Sequence, residues 1–146
     1  MKENKELFTF NNTEEYMQLL NEVKERITTA QYKALKTVNT ELIALYWDIG
    51  KTIIEKQATQ AWGKSVVEKL SEDLRIAFPN TKGFSVQNLW YMRQFYSEYC
   101  NDEKLQPLVG EIAWAHNLVI MGKCKDLLAR EFYIRIPICQ KSCQLL

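Results

Sequence analysis

The chain has 146 residues, a length suited to one domain and short for two, and 47% of them are hydrophobic, 12% aromatic and 25% charged. That composition excludes a disordered tail, because it holds enough apolar surface to offset the ordering entropy of folding. With 19 Lys and Arg against 18 Asp and Glu, the whole molecule does not advertise an anionic partner, although residues 104–146 carry six basic and three acidic groups while residues 1–30 carry four basic and six acidic ones.

Residues 1–12, MKENKELFTFNN, read as an N-terminal tail without the apolar segment of a signal peptide. No run of roughly 18 apolar residues suggests a membrane span, so a cytoplasmic protein without a membrane partner is expected. Asn12 or Thr13 can cap a helix whose first turn carries Glu14 and Glu15, where carboxylates complement the free backbone N–H groups. Apolar positions then recur at Tyr16, Leu20, Val23, Ile27, Ala30 and Ala34, and continue through Val38, Leu42, Leu45, Tyr46, Ile49 and Ile53. The spacing predicts one buried helical stripe. A break or kink is expected at Thr37-Val38-Asn39-Thr40, where β-branched residues and Asn lower helix propensity.

After Gly63, the run Ser65-Val66-Val67-Glu68 fits a capping box at the start of a second helix, with Val67, Leu70, Leu74 and Ala77 as its inner face. Pro79 and Gly83 end that helix, since Pro79 biases Phe78 away from the helical region and Gly83 can take positive φ. Ser85 is then the N-cap of a further helix. On that helix Val86, Leu89, Met92, Arg93, Tyr96 and Tyr99 fall on the core side, with Gln87, Tyr91, Gln94 and Glu98 opposite. A helix preceded by a bracing helix, with Gln and Tyr turned outwards and Lys82 beside its N-terminus, has what a recognition helix needs. Gln can pair with adenine through two hydrogen bonds, and a helix N-terminus favours phosphate. The same pattern also suits two packed amphipathic helices whose outer faces are only solvated.

Catalytic constellations are sought by what they require. Gly50, Gly63, Gly83, Gly110 and Gly122 are isolated, so no loop cradles phosphates, and no Gly-x-Ser-x-Gly elbow occurs. His116, in Trp114-Ala115-His116-Asn117, reads as a core or capping histidine without a partner nucleophile. Cys100, Cys124, Cys139 and Cys143 form no Cys-x-x-Cys pair, and read as reduced, incidental thiols. Glu22-Val23-Lys24 spells the Glu-x-Lys of metal-dependent nucleases, but no Pro-Asp precedes it and it reads as a solvated helix face. No catalytic residue, cofactor or metal site is expected.

Several segments in this order resemble the N-terminal domain of the YhcG-type family of PD-(D/E)xK nucleases. They are Leu45-Tyr46-Trp47-Asp48-Ile49-Gly50, Gly63 to Leu70, Phe78-Pro79, Lys82-Gly83-Phe84-Ser85, Asn88 to Tyr96, Trp114-Ala115-His116-Asn117 and Arg130-Glu131-Phe132-Tyr133. The resemblance covers Thr13 to Arg135, and it implies an all-α helical bundle containing a helix-turn-helix or winged-helix-like module, presumed to bind DNA and normally followed by a nuclease domain. Residues 13–135 are therefore expected to form the family domain and residues 136–146 an atypical tail, because Pro137 does not continue a helix without losing a backbone hydrogen bond. The expected chain is a DNA-binding module that lacks the nuclease carboxylates and has no activity of its own, either as a shortened gene product or as a stand-alone module.

The expected DNA contact set is Lys82, Ser85, Gln87, Asn88, Tyr91 and Gln94, with Asn88 and Arg93 nearer the core edge and suited to bridging helices. The basic segment with Lys123, Lys125, Arg130 and Arg135 is the reserve surface. The alternative is a protein–protein or self-association module, a homo-oligomer in which the Tyr16–Ile53 stripe pairs with a second chain and Trp47, Trp62 and Trp90 are packing residues. A positive groove beside Lys82 favours the first reading, and a long exposed apolar stripe the second.

Overall fold

The computed structural model describes residues 13–60 and 63–144, with side chains as far as Cys139. Asn12, Trp62 and the side chain of Cys143 lie outside the described residues. The fold is all-helical: α1 (Glu14–Gln60), α2 (Lys64–Ala77), α3 (Val86–Tyr99), α4 (Gln106–Val109), α5 (Trp114–Lys123) and α6 (Leu127–Gln144). There is no strand among the described residues. The chain divides into two compact units between Thr37 and Val38, at the place where a helix break was expected.

The helix itself does not break there, which corrects that expectation: α1 runs unbroken for 47 residues. Propensity penalties of a few tenths of a kcal/mol per residue are small enough for one long-range hydrogen bond to offset. Thr37 turns its hydroxyl back onto the Lys33 carbonyl at 2.9 Å, and the Asn39 amide donates to the Ile112 carbonyl at 3.0 Å.

In the first unit, Thr13 caps α1 by accepting the Tyr16 N–H at 3.4 Å. The stripe expected to be buried is not buried here: Val23 is 43% exposed and Ile27 52% exposed. Within this unit no other described element covers that face.

In the second unit, α1 buries Ile43, Tyr46, Gly50 and Ile53, while Leu42 and Leu45 of the expected stripe stay exposed. Two apolar clusters form. Tyr46, Ile53, Val67, Phe84, Leu89 and Met92 make one, and Ile43, Phe95, Tyr99, Leu105, Ile112 and Ile134 belong to the other. Helix α3 runs through both, giving Leu89 and Met92 to the first and Phe95 and Tyr99 to the second. Leu89, Met92 and Tyr99 were expected inside. Phe95 was not, although it is fully buried and meets Trp47, Tyr99 and Trp114 edge-on.

Helix α2 starts one residue before Ser65, at Lys64. Its cap position is Gly63, without a side-chain cap bond, so the expected capping box does not form. Val67 is buried, Leu70 and Leu74 partly so, and Ala77 is exposed rather than internal. The polar residue between them is the surprise: Ser71 is fully buried and donates to the Phe84 carbonyl at 2.6 Å.

Helix α6 passes through Pro137, against the expected stop. A proline inside a helix costs about 3 kcal/mol. Here the preceding turn is anchored by the fully buried Ile134, and Ile138 packs on the same cluster, which offsets that cost.

Helices α1 and α3 cross at Gly50, where a Cβ would fall on the Met92 carbonyl. Gly50→Ala raises helix propensity by about 1 kcal/mol but forces two backbones apart. The expected result is a net loss of about 1–3 kcal/mol or more in urea unfolding. An unchanged midpoint contradicts the close crossing.

Candidate nucleic-acid interface

The site is built on the turn between α2 and α3. The chain leaves α2 through Phe78, whose N–H bonds the Leu74 carbonyl at 2.8 Å, and Thr81 closes back on the Phe78 carbonyl at 3.0 Å. Gly83 has φ of 108°, and a Cβ there would collide with the Tyr46 hydroxyl, so this position needs glycine on two counts. Ser85 then caps α3 by accepting the Asn88 N–H at 3.2 Å, as its sequence context predicts.

Asn88 holds this turn in place. Its amide nitrogen donates to the Gly83 carbonyl at 2.6 Å, and its amide oxygen accepts the Trp114 indole N–H at 2.8 Å. The Trp114 ring in turn packs edge-on against Tyr46, with ring centroids 4.9 Å apart. Burial pushes the Tyr46 phenol upwards, and its contact with Asn88 opposes that shift. The side chain of Asn88 is thus committed to positioning α3. Arg93 also bridges helices, donating to Gln57 of α1 at 2.7 Å and lying 5.8 Å from the Trp90 ring centre.

The remaining residues of the expected contact set differ in availability. Lys82, Ser85 and Gln87 are exposed, and Tyr91 and Gln94 are half-buried. Gln87 donates to the Tyr91 hydroxyl at 2.8 Å, which lines up two polar groups one helical turn apart. Gln94 donates to one oxygen of Glu98 at 2.9 Å, and the other oxygen pairs with Arg130 at 2.8 Å. Gln94 therefore belongs to a network that reaches inwards.

That network removes part of the reserve surface. Arg130 is 4% exposed, and besides Glu98 it bonds the Cys124 carbonyl at 2.7 Å and lies 5.5 Å from the centre of the Tyr99 ring. Burial pushes the Tyr99 phenol up, and the Arg130 guanidinium beside it pulls the other way. Arg135 pairs with Glu131 at 3.0 Å, and Lys104 meets the same carboxylate at 3.0 Å, so hydrogen bonds from Lys104 and Arg135 lower the Glu131 pKa. Lys125 donates to the Met121 carbonyl at 3.3 Å. Of the four residues of the reserve surface, Arg130 and Arg135 are held by carboxylates and Lys125 by a backbone carbonyl.

His116 is exposed on α5, and so is neither the core nor the capping histidine expected. Glu22 holds Arg26 at 2.9 Å on an exposed helix surface, the solvated face read from its sequence. Among the described residues no three His, Cys, Asp or Glu side chains lie close enough to hold a metal ion, and no helix is long and apolar enough to cross a membrane. An open groove of about 560 Å³ between α1, α2 and the turn has an apolar lining that includes Ile49, Leu70, Leu74 and Phe78, with no converging charged groups of opposite role.

The family described as the DUF1016 N-terminal domain matches residues 22–142, so the chain belongs to that family, and the match runs past Arg135 into the segment expected to be a tail. A curated relative, "Putative nuclease YhcG" of Escherichia coli (strain K12), is 31% identical over 101 residues, which cover 66% of this chain and 26% of the relative. The chain thus spans about a quarter of the length of the curated relative it matches. No solved structure matches.

Asn88→Ala is expected to lower stability, because it leaves the Trp114 N–H without its partner at a cost of about 1–3 kcal/mol. Gln87→Ala, one residue earlier and exposed, is expected within about 0.5 kcal/mol of the parent. Thermal melts compare the two, and equal effects refute the positioning role. A second expectation concerns alkali. Tyr99 holds its proton more tightly when folded than when unfolded, so its contribution is complete below about pH 10 and is lost as pH rises through the folded value. Tyr99→Phe is expected to lose less stability than the parent between about pH 9 and about pH 11, measured by urea unfolding across that range.

Proposed function

We propose that the chain is a DNA-binding module of a YhcG-type nuclease, built on a helix-turn-helix-like pair of α2 and α3. The observation that carries this reading is the Ser85-capped start of α3. It is pinned from behind by Asn88 and Trp114, while Lys82, Ser85 and Gln87 stand exposed beside it. A helix held rigidly on its inner face and polar on its outer face is what groove recognition requires. The relative's description as a nuclease supports a nucleic-acid partner. In this proposal the winged-helix-like element reduces to the helix pair. Lys82 contacts phosphate, Gln87 and Tyr91 face base edges, and Gln94 stays with Glu98. Asn88 moves from the contact set to the scaffold. Glu22 and Lys24 stand on an exposed helix face, among described residues that gather no metal-holding carboxylates, and take no part in the proposal.

Self-association is a second reading, favoured by a separate observation: the uncovered apolar face of α1 in the first unit. It uses different residues and is compatible with DNA binding.

Fluorescence anisotropy on random duplex DNA across a salt series tests the first reading. Lys82→Ala is expected to weaken binding to all sequences and to reduce the salt slope by about 1. Gln87→Ala with Tyr91→Ala is expected to cost about 1–3 kcal/mol per base contact without a change in melting temperature. The DNA is expected to remain uncut with magnesium present. Absence of binding by the folded parent at low salt refutes the DNA reading.

A further inference from the structure

Among the described residues of the first unit, one helical face has no partner. From Glu14 to Thr37, α1 has no fully buried side chain, yet Tyr16, Leu20, Val23, Ile27, Ala30 and Ala34 recur at spacings of four and three residues. That alternation keeps one seam facing a second helix over several turns. Val23 and Ile27 at its centre are 43% and 52% exposed. A helical segment supported only by its own backbone bonds is marginal in water unless its apolar face packs.

Two properties of the seam identify the occupant. The first is charge. Residues 14–25 carry Glu14, Glu15, Glu22 and Glu25 against the single base Lys24, whereas residues 26–37 carry Arg26, Lys33 and Lys36 and no acid. A second copy running antiparallel sets the acidic half against the basic half at both ends of the contact. A parallel copy sets like against like. The second is side-chain size. With residue 25 at the two-fold axis, Tyr16 faces Ala34 of the second copy, Leu20 faces Ala30, and Val23 faces Ile27, and the symmetry repeats each layer. Every large side chain then meets a small one, and the two medium ones meet each other. In parallel register, Tyr16 crowds its own equivalent and the alanine layers leave gaps.

We propose that the Glu14–Thr37 part of α1 pairs antiparallel with the same segment of a second copy of this chain, about a two-fold axis at residue 25. Such an isologous contact is self-complementary, the commonest form of soluble assembly. The exposed Glu22–Arg26 bridge within one helix, with side chains 61% and 78% exposed, does not compete strongly, because surface pairs of this kind are weak.

Sedimentation equilibrium of the full chain at low salt tests the proposal. The parent is expected to be dimeric. Val23→Asp with Ile27→Asp is expected to be monomeric with an unchanged melting transition of the second unit, since neither side chain is buried there. Glu14→Lys with Glu15→Lys, and separately Lys33→Glu with Lys36→Glu, are each expected to weaken the dimer by about tenfold, because residue 14 faces residue 36 of the second copy in this register. The four changes combined restore opposite signs across the contact and are expected to recover most of the loss. A monomeric parent, a dimer untouched by the two aspartates, or a dimer left unchanged by either charge pair, as parallel pairing of like against like gives, overturns the proposal.

Discussion

The side-chain amide of Asn88 is the point on which the second unit turns. It joins the turn before α3 to the indole of Trp114, and the same indole packs on Tyr46 and Phe95. Helix α3 crosses both apolar clusters, so anything that fixes its start fixes the register of Leu89, Met92, Phe95 and Tyr99 below it. Two glycines make the arrangement possible by what they lack. Gly50 lets the α1 and α3 backbones touch, and Gly83 lets the turn lie against the Tyr46 hydroxyl. A polar bond in this position contributes specificity as well as energy, because a shifted α3 leaves both the indole N–H and the Gly83 carbonyl without partners.

Features set by neighbouring residues were legible in the sequence, and those set by distant ones were not. Ser85 as a cap and Gly83 as a positive-φ turn depend only on local chemistry, and both are present. The bond between Asn88 and Trp114 spans 26 residues, and the pairing of Arg130 with Glu98 joins two helices, so no local pattern contains either. The chain's charge count could not reveal that Arg130 is an interior residue. Helix ends were misjudged where distant contacts outweigh propensity, through the Asn39 bond to the Ile112 carbonyl near Thr40 and through the packing of Ile134 and Ile138 around Pro137. The apolar stripe of α1 was read as a single buried seam because periodicity reports that a face is apolar without saying whether anything covers it. Among the described residues its second half buries Tyr46 and Ile53, while Val23 and Ile27 in its first half are exposed.

The electrostatics of the fold shape the proposed function. Four basic side chains of the second unit are engaged: Arg130 by Glu98, Arg135 and Lys104 by Glu131, Arg93 by Gln57. What faces outward beside α3 is a small polar set around Lys82, Ser85 and Gln87. A protein that neutralises few phosphates gains little from counterion release, so its binding is weak and shallow in its salt dependence. With Lys82 as the one phosphate contact of the proposal, a single copy gains little affinity from charge alone.

The proposed pairing through α1 would address that weakness by a different physical route. When two copies are joined, the second α3 face engages from a high local concentration set by the linkage, and affinity rises without any new contact at the DNA. The boundary between Thr37 and Val38 separates the two tasks along one continuous helix: the segment before it carries the pairing seam, and the segment after it supplies Tyr46, Gly50 and Ile53 to the unit that presents α3. The seam uses alternating charge halves and the presenting unit uses a buried amide, so a change that abolishes one leaves the physical basis of the other in place. Because the two rest on different residues, the exposed face with Val23 and Ile27 needs no cover from the second unit, and the proposal assigns that cover to a second molecule.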